Sequence, residues 1–395
     1  MNNTSTFKER FGLNASILSM LVMVILIGMG EKIGERFLPI YILAIGGSTY
    51  AVGALNAIDN FLSAIYSYVG GILSDRFGYK NTLMGVSLLS IFGFLIVIFF
   101  PSWQAVLIGS LFFISWTALS LPAILSLIAT TLKENKQTMG VSIHSLVRRI
   151  PMALGPVLGG VIIEIYGIVL GARIAFGIAL VFALIAVFFI KKYVIETSER
   201  TPIDLKAGFT RMSKPLRILL VSDILIRFAE QMPYAFVVVY VMNTLNNSPI
   251  TFSALTLIEM LTAMFIYIPV ALLSEKVSSK MIVSITFFFF AIFPIVLGLS
   301  NSIGMLYVAF IIRGLKEFGE PTRKALIVRL SDPDIKASAY GTYYLIRDVV
   351  VSIAALSSAF LWNVSPYLNF GLASLFGFIG LFIFIRFGSD KRIIV

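Results

Sequence analysis

Ser74-Asp75-Arg76-Phe77-Gly78-Tyr79-Lys80 lies between two long apolar runs, and 200 residues later Ser274-Glu275-Lys276-Val277-Ser278-Ser279-Lys280 stands in the same setting. In both stretches an acid is followed by a base, three residues and a Lys. A pattern that returns in register after half a chain marks an internal duplication, so each half reads as one copy of a single structural unit.

Composition sets the solvent of those units. Apolar residues make up 58% of the 395, charged residues only 13%, and the mean hydropathy is +0.95. A water-soluble domain of this size has no interior large enough for so much apolar side chain. The runs are also long, near the roughly 20 residues that cross about 30 Å of hydrocarbon. Hydropathy places twelve helices, at 16–44, 50–73, 81–100, 103–131, 139–166, 169–190, 216–243, 250–273, 281–299, 303–330, 337–361 and 367–387. The fold class expected is therefore an all-α membrane protein with twelve transmembrane helices in two six-helix, pseudo-symmetric bundles. The bundles are 1–190 and 216–395, joined by a cytoplasmic linker at 191–215, which is the one long hydrophilic stretch. Residues 1–14 are polar and no cleavage-site pattern follows, so the first helix reads as retained.

Lys and Arg gather on one side of this topology, in loops such as 74–80, 132–138, 191–217 and 274–280, and at both ends of the chain. The opposite loops Ala44–Thr49, Asn243–Pro249 and Trp362–Tyr367 carry none. The positive-inside rule then puts both termini in the cytoplasm. The formal charge of +11 is spread over short loops with no soluble domain behind it, which argues against a nucleic-acid partner. One His and no Cys leave no metal or thiol site and no nucleophile-base pair, and His-Glu-x-x-His is missing. No catalytic residue, metal or cofactor is expected, and the chain reads as no enzyme.

The loop at Gly71, Leu73, Ser74, Asp75, Arg76, Gly78 and Lys80 resembles the signature loop of the major facilitator superfamily, with a degenerate second copy at Ala271–Lys280 that includes Glu275, Lys276 and Lys280. Tyr79 stands where that family usually has a base. Gly155-Pro156-Val157-Leu158-Gly159-Gly160 in the fifth helix resembles the helix-five motif of the superfamily's proton-linked multidrug and metabolite exporters. The resemblance implies two bundles that alternate access to a central cavity, a small-molecule substrate, and proton-coupled export. Uptake of an organic ion or metabolite, or facilitated diffusion, is the alternative, and a channel or sensor does not explain the duplicated loop. The resemblance further implies an integral membrane protein of a prokaryotic cell membrane, working as a monomer.

Charges inside the predicted helices supply the candidate site. A charge at mid-bilayer costs roughly 2.5–3.5 kcal/mol on insertion scales, so such residues pair or face a wet cavity. Counting rise from each helix entry, Asp59, Arg148, Arg227, Glu230, Arg313, Glu317, Arg347 and Asp348 come closest to mid-membrane. Glu31 and Glu35 in the first helix join them as cavity and coupling candidates. Arg313, Lys316, Glu317, Glu320, Arg323 and Lys324 fall on one arc of an unbroken tenth helix. The fourth helix has no central Arg, and Arg313 holds the corresponding place in the tenth. Tyr234, Tyr240, Tyr343 and Tyr344 are the candidate cavity aromatics, while the run Phe287–Phe290 points around its whole helix and reads as lipid or helix contact. His144 reads as a packing residue. Charges of both signs suit a charged or amphipathic organic substrate, with the proton as coupling ion acting on Glu31, Asp59, Glu230 or Asp348.

Overall fold

The computed structural model describes residues 15–114, 116–131, 144, 147–195, 210–274, 276–332 and 336–390. Among these the chain is helical: α1 (Ala15–Glu35), α2 (Leu38–Ala44), α3 (Thr49–Phe77), α4 (Tyr79–Phe99), α5 (Trp103–Phe113), α6 (Trp116–Thr131), α7 (Arg149–Tyr166), α8 (Ile168–Tyr193), α9 (Lys214–Tyr234), α10 (Phe236–Val239), α11 (Pro249–Ser274), α12 (Ser279–Leu299), α13 (Ile303–Leu315), α14 (Glu320–Leu330), α15 (Lys336–Val364) and α16 (Pro366–Phe387). Nine helices among the described residues are long and apolar enough to cross a membrane, and ten with the pair Lys214–Tyr234 and Phe236–Thr244, bent by 40°. The remaining two of the expected twelve are α3, which carries the polar residues Asn56, Asp59 and Asn60, and the α13–α14 pair, which is both charged and broken.

Three expected helices are interrupted among the described residues, two of them at proline. The first stops at Glu35 and restarts at Leu38, with Pro39 in the first turn of α2. The seventh bends where Pro233 ends α9, and a π-helical turn at Tyr240–Thr244 follows α10. In the tenth, Lys316–Gly319 forms turns between α13 and α14. The single arc expected for Arg313 through Lys324 is thus corrected: Arg313 belongs to one helix and Glu320, Arg323 and Lys324 to the next.

Helix starts follow side-chain chemistry. Ser102, Ser213, Ser278 and Ser302 each accept a hydrogen bond from the backbone N–H three residues on, at 3.3, 3.4, 3.2 and 3.4 Å. Gly78 (φ +82°) alone separates α3 from α4, a backbone that residues with a side chain rarely adopt.

Contacts divide the chain into two compact units. One takes the described residues of 1–46 and 65–202, the other those of 47–64 and 203–395. In the first unit α1 packs against α8, whose Ala172, Ala175, Ala179, Ala183 and Ala186 form a buried stripe at spacings of three and four. A Cβ at Gly30 would stand 2.9 Å from the Ala179 backbone, so the two helices meet nearly backbone to backbone. Ile17, Met20, Val24, Leu83, Val86, Leu127 and Ile190 fill the core toward one end. In the second unit Leu216, Leu219, Phe287, Phe290, Leu326, Tyr343 and Phe384 build the corresponding core. The segment 47–64 packs there too: Gly53 lies against Ala359, Asn56 Nδ2 donates to Gln231 O at 2.8 Å, and Thr49 Oγ1 donates to Asn363 Oδ1 at 2.7 Å.

Close helix contact at glycine has a measurable consequence. A Cβ at Gly93 would meet Gly109 O at 2.6 Å, whereas one at Gly177 meets nothing within 4 Å. Gly93→Val is expected to destabilise by about 1–3 kcal/mol through overpacking, and Gly177→Val by less than about 0.5 kcal/mol, compared by thermal unfolding in detergent.

Candidate functional site

The second unit holds a connected network of buried charge. α9 presents Asp223, Arg227 and Glu230 at i, i+4 and i+7, one face of the helix. Arg323 of α14 donates to Asp223 Oδ2 and reaches both oxygens of Glu320 at 2.8 Å. The Tyr343 hydroxyl of α15 donates to the same Asp223 oxygen at 3.0 Å. Arg347 Nη1 lies 3.6 Å from Asp223 Oδ2, and Arg227 Nε 3.9 Å from Oδ1. Three guanidinium groups and a phenol thus surround one carboxylate that is 1% exposed.

From this hub the network runs to α11 and α13. Arg227 Nη1 donates to Glu230 Oε2 at 2.5 Å, and its Nη2 stands 3.6 Å from Glu320. Lys316, in the turn after α13, donates to Glu230 Oε1 at 2.6 Å and lies 3.9 Å from Glu259 Oε1. Arg313 Nε is 3.4 Å from that Glu259 oxygen. On the other side Arg347 Nε donates to Asp348 Oδ1 at 2.7 Å. The cations Arg227, Arg313, Lys316, Arg323 and Arg347 equal in number the anions Asp223, Glu230, Glu259, Glu320 and Asp348, so the cluster is neutral as a whole. Balance of this kind is what makes so many buried charges tolerable in an apolar surround.

The members are held unequally. Glu230 and Glu320 each accept at least two hydrogen bonds. Glu259 accepts none on either oxygen, although it is 1% exposed, and is attracted to Arg313 and Lys316 by charge alone. Arg227 Nε and Arg347 Nη1 are buried and donate no hydrogen bond. Aromatic faces complete the surround: Phe290 lies 5.2 Å from the Arg227 guanidinium and 5.6 Å from Lys316 Nζ, and Tyr344 lies 4.2 Å from Arg347. Tyr234, Phe293 and Phe310 stand around Arg313 at 5.7, 5.4 and 5.6 Å.

The structure therefore brings Arg227, Glu230, Arg313, Arg347 and Asp348 into one cluster, and Glu317 borders it, accepting from Tyr267 at 2.9 Å. Asp59 is on α3 in the same unit and accepts from Ser63 at 3.4 Å. Glu31, Glu35 and Arg148 belong to the first unit. There Lys32 donates to Glu31 Oε1 at 3.0 Å and to Glu35 Oε2, while Arg148 sits at the N-terminus of α7. Gly155, Pro156, Gly159 and Gly160 are buried on α7, which runs through Pro156 unbroken. A Cβ at Gly155 would stand 2.7 Å from that of Lys32, so the motif lets α7 lie directly on the first helix beside its charged triplet.

In the duplicated loop Arg76 is exposed with its guanidinium 5.3 Å from the Phe77 ring, Lys276 is exposed, and Lys80 and Lys280 are partly so. The surroundings of Gly71, the side chain of Asp75 and the whole of Glu275 lie outside what the structure describes. His144 is buried. Tyr240 proves a packing residue and not a cavity aromatic: its hydroxyl donates to Gly298 O at 3.3 Å and its ring meets Trp362 and Phe370 edge-on. Trp362 is stacked on Phe236 inside the unit.

Asp223, Glu259 and Phe290 are not among the mid-membrane candidates that the sequence count selects. The i, i+4, i+7 spacing of Asp223 with Arg227 and Glu230 was the available signal for the first. Nothing in the sequence singles out Glu259, a lone acid in an apolar helix, until Arg313 and Lys316 are beside it.

Comparison with known proteins agrees with this architecture. The sequence matches the family described as Major Facilitator Superfamily over residues 11–226 and again over 219–393. The chain belongs to the Major Facilitator Superfamily. An uncharacterised MFS-type transporter of Methanocaldococcus jannaschii is 22% identical over 372 residues, 89% of each chain. One of Mycobacterium tuberculosis is 31% identical over 144 residues, 36% of this chain and 34% of that one. Among solved structures, a nucleoside transporter aligns with TM-score 0.79 at 12% identity, covering 94% of this chain and 99% of that one. A peptide transporter in complex with sulfate aligns at 0.78 and 15%, covering 97% and 96%. At such identities the structural likeness speaks for the fold. The protein is thus an integral membrane transporter of the MFS type, within a family of transporters and not of enzymes.

The geometry predicts an asymmetry within the network. Arg323→Leu leaves Asp223 and Glu320 buried without their main cation and is expected to destabilise by about 3–5 kcal/mol, most of it recovered in Arg323→Leu with Asp223→Asn. Lys324, 46% exposed, is expected to matter by less than about 1 kcal/mol when made Leu. Denaturant or thermal unfolding of the purified transporter measures all three.

Proposed function

We propose that this transporter is a secondary carrier for a small organic ion, in which bundles 1–190 and 216–395, joined by the linker 191–215, alternate access to a polar site, with proton-coupled export as the working direction. The observation that carries the reading is Lys316, a single cation set between Glu230 at 2.6 Å and Glu259 at 3.9 Å. A lysine with two carboxylates to choose from can change partner when one of them is neutralised, and a proton or a substrate group is what would neutralise it.

Substrate chemistry follows from the same cluster. Arg227 and Arg347 each retain a buried donor that makes no hydrogen bond, and aromatic faces lie against both. These groups suit a zwitterion or an amphipathic ion, whose charged part meets a guanidinium and whose apolar part meets a ring. Glu31, Asp59, Glu230 and Asp348 are the coupling carboxylates of this reading. Export rests on the resemblance of Gly155-Pro156-x-x-Gly159-Gly160 to the exporter motif, and cytoplasmic termini on the distribution of Lys and Arg.

A thermal-shift screen of organic ions and sugars on the purified protein, followed by transport of the best hit in proteoliposomes, tests this. A charged ligand is expected to raise the melting temperature. Arg227→Ala and Arg313→Ala should each weaken its apparent affinity about tenfold or more, and an imposed pH gradient should drive its accumulation in wild type but not in Glu230→Gln. If every hit is an uncharged sugar indifferent to both arginine substitutions, the charged site is refuted. Transport that ignores the pH gradient refutes proton coupling and leaves facilitated diffusion.

A further inference from the structure

A cavity of about 500 Å³ lies within the first unit, between the loop-side half of α3, α4 and α6. It is distinct from the charge network, which belongs to the second unit. Its walls change character along their length. Next to the signature loop stand Asn81 and Thr82, while farther in the lining is Val69, Val86, Leu89 and Leu119. From Asn81 to Leu89 the slot follows α4 for about 12 Å.

The loop end is cationic outside and polar inside. Arg76 is exposed and Lys80 partly so, both in the loop beside the lining residues Phe77 and Asn81. Thr82 is 4% exposed, yet its hydroxyl has no hydrogen-bond partner. An unsatisfied hydroxyl in an apolar wall is costly and is unusual unless something brought by a ligand meets it.

From these features we propose that the slot binds one anionic phospholipid of the adjoining leaflet: its phosphate meets Arg76 and Lys80, an ester carbonyl accepts from Thr82 about 3 Å farther along the helix, and an acyl chain fills the space lined by Val86, Leu89, Val69 and Leu119. The order of groups along the wall is the order of groups along a phospholipid, cation-seeking, then acceptor, then apolar. The volume falls within the range of about 300–1,000 Å³ typical of small-molecule sites. On the positive-inside reading the loop faces the cytoplasmic leaflet, where anionic lipid is concentrated. Seated between α3 and α4, which join through Gly78 alone, the lipid would brace the loop that the family duplicates.

Gly85 makes the proposal testable. It lines the cavity, and a Cβ there meets nothing within 4 Å, so a larger side chain enters the slot without displacing protein. The full chain would be reconstituted in vesicles of equal phosphatidylglycerol and phosphatidylcholine, extracted gently, and the lipid retained read by native mass spectrometry. Wild type is expected to keep one tightly held phospholipid, with phosphatidylglycerol preferred about fivefold or more. Gly85→Leu should lose it, and Gly177→Leu, equally open but on α8 away from the cavity, should keep it. Arg76→Gln with Lys80→Gln should retain a lipid without headgroup preference. Should Gly85→Leu fail to fold, Leu89→Phe fills the inner part of the slot and carries the same expectation. The proposal is overturned if wild type retains no lipid, if the slot-filling variant retains it unchanged, or if the Gly177 control loses it equally. None of these outcomes depends on the substrate or its coupling ion.

Discussion

Asp223 is the point on which the second unit depends. It is a buried carboxylate in a helix that crosses an apolar medium, and by itself such a charge would keep α9 from staying there. Arg323, Arg347 and Arg227 approach it from α14, α15 and its own helix, and Tyr343 supplies a hydrogen bond from α15. The attraction therefore does two things at once. It makes the charge tolerable, and it fixes which faces of three helices meet. Because each arginine also serves a second carboxylate, the arrangement extends outward to Glu320, Glu230 and Asp348 and is neutral only as a whole.

The first unit shows a second force plainly. Between helices in lipid there is no hydrophobic gain from leaving one apolar phase for another, so close contact of small residues has to supply the attraction. Gly30 on Ala179, Gly93 on Gly109 and Gly159 on Ile33 are contacts in which backbones nearly touch. That unit carries the compact triplet Glu31, Lys32 and Glu35 on α1, placed where Gly155 and Gly159 allow α7 to lie against it. Close glycine packing recurs in the second unit, at Gly377 on Ala291 and Gly380 on Ser222, where the ionic network is added to it.

Much of the fold was legible because a membrane leaves few options. Apolar runs must be helices, Gly78 and the serine caps mark their ends, and the spacing of the duplicated loop gives the repeat. The helix breaks were not legible to the same degree. Pro39 and Pro233 sit near two of them, but the turns at Lys316–Gly319 arise in a sequence whose charges keep a helical spacing straight through. Periodicity measures which residues could share a face if the helix continues, and it is silent on whether it does. The site was half legible for the same reason. Asp223, Arg227 and Glu230 lie on one helix and announce themselves, while Glu259 becomes part of the site only through residues more than fifty positions away.

This difference in how residues are held carries a functional argument. A site made only of tight pairs would be a structural clamp, since every change of partner would break a strong hydrogen bond in an apolar surround. A site made only of loose charges could not remain buried. The network here grades from one to the other: Arg323 is tied to Asp223 and Glu320, Lys316 stands between a close and a distant carboxylate, and Glu259 has no hydrogen bond to lose. The gradient points along α13 from the fixed end at α14 toward Arg313 in its aromatic surround. The break at Lys316–Gly319 lies between the two ends. Lys316, the cation that joins Glu230 to Glu259, sits in that turn, and the turn is therefore as much a part of the site as the charges on either side of it.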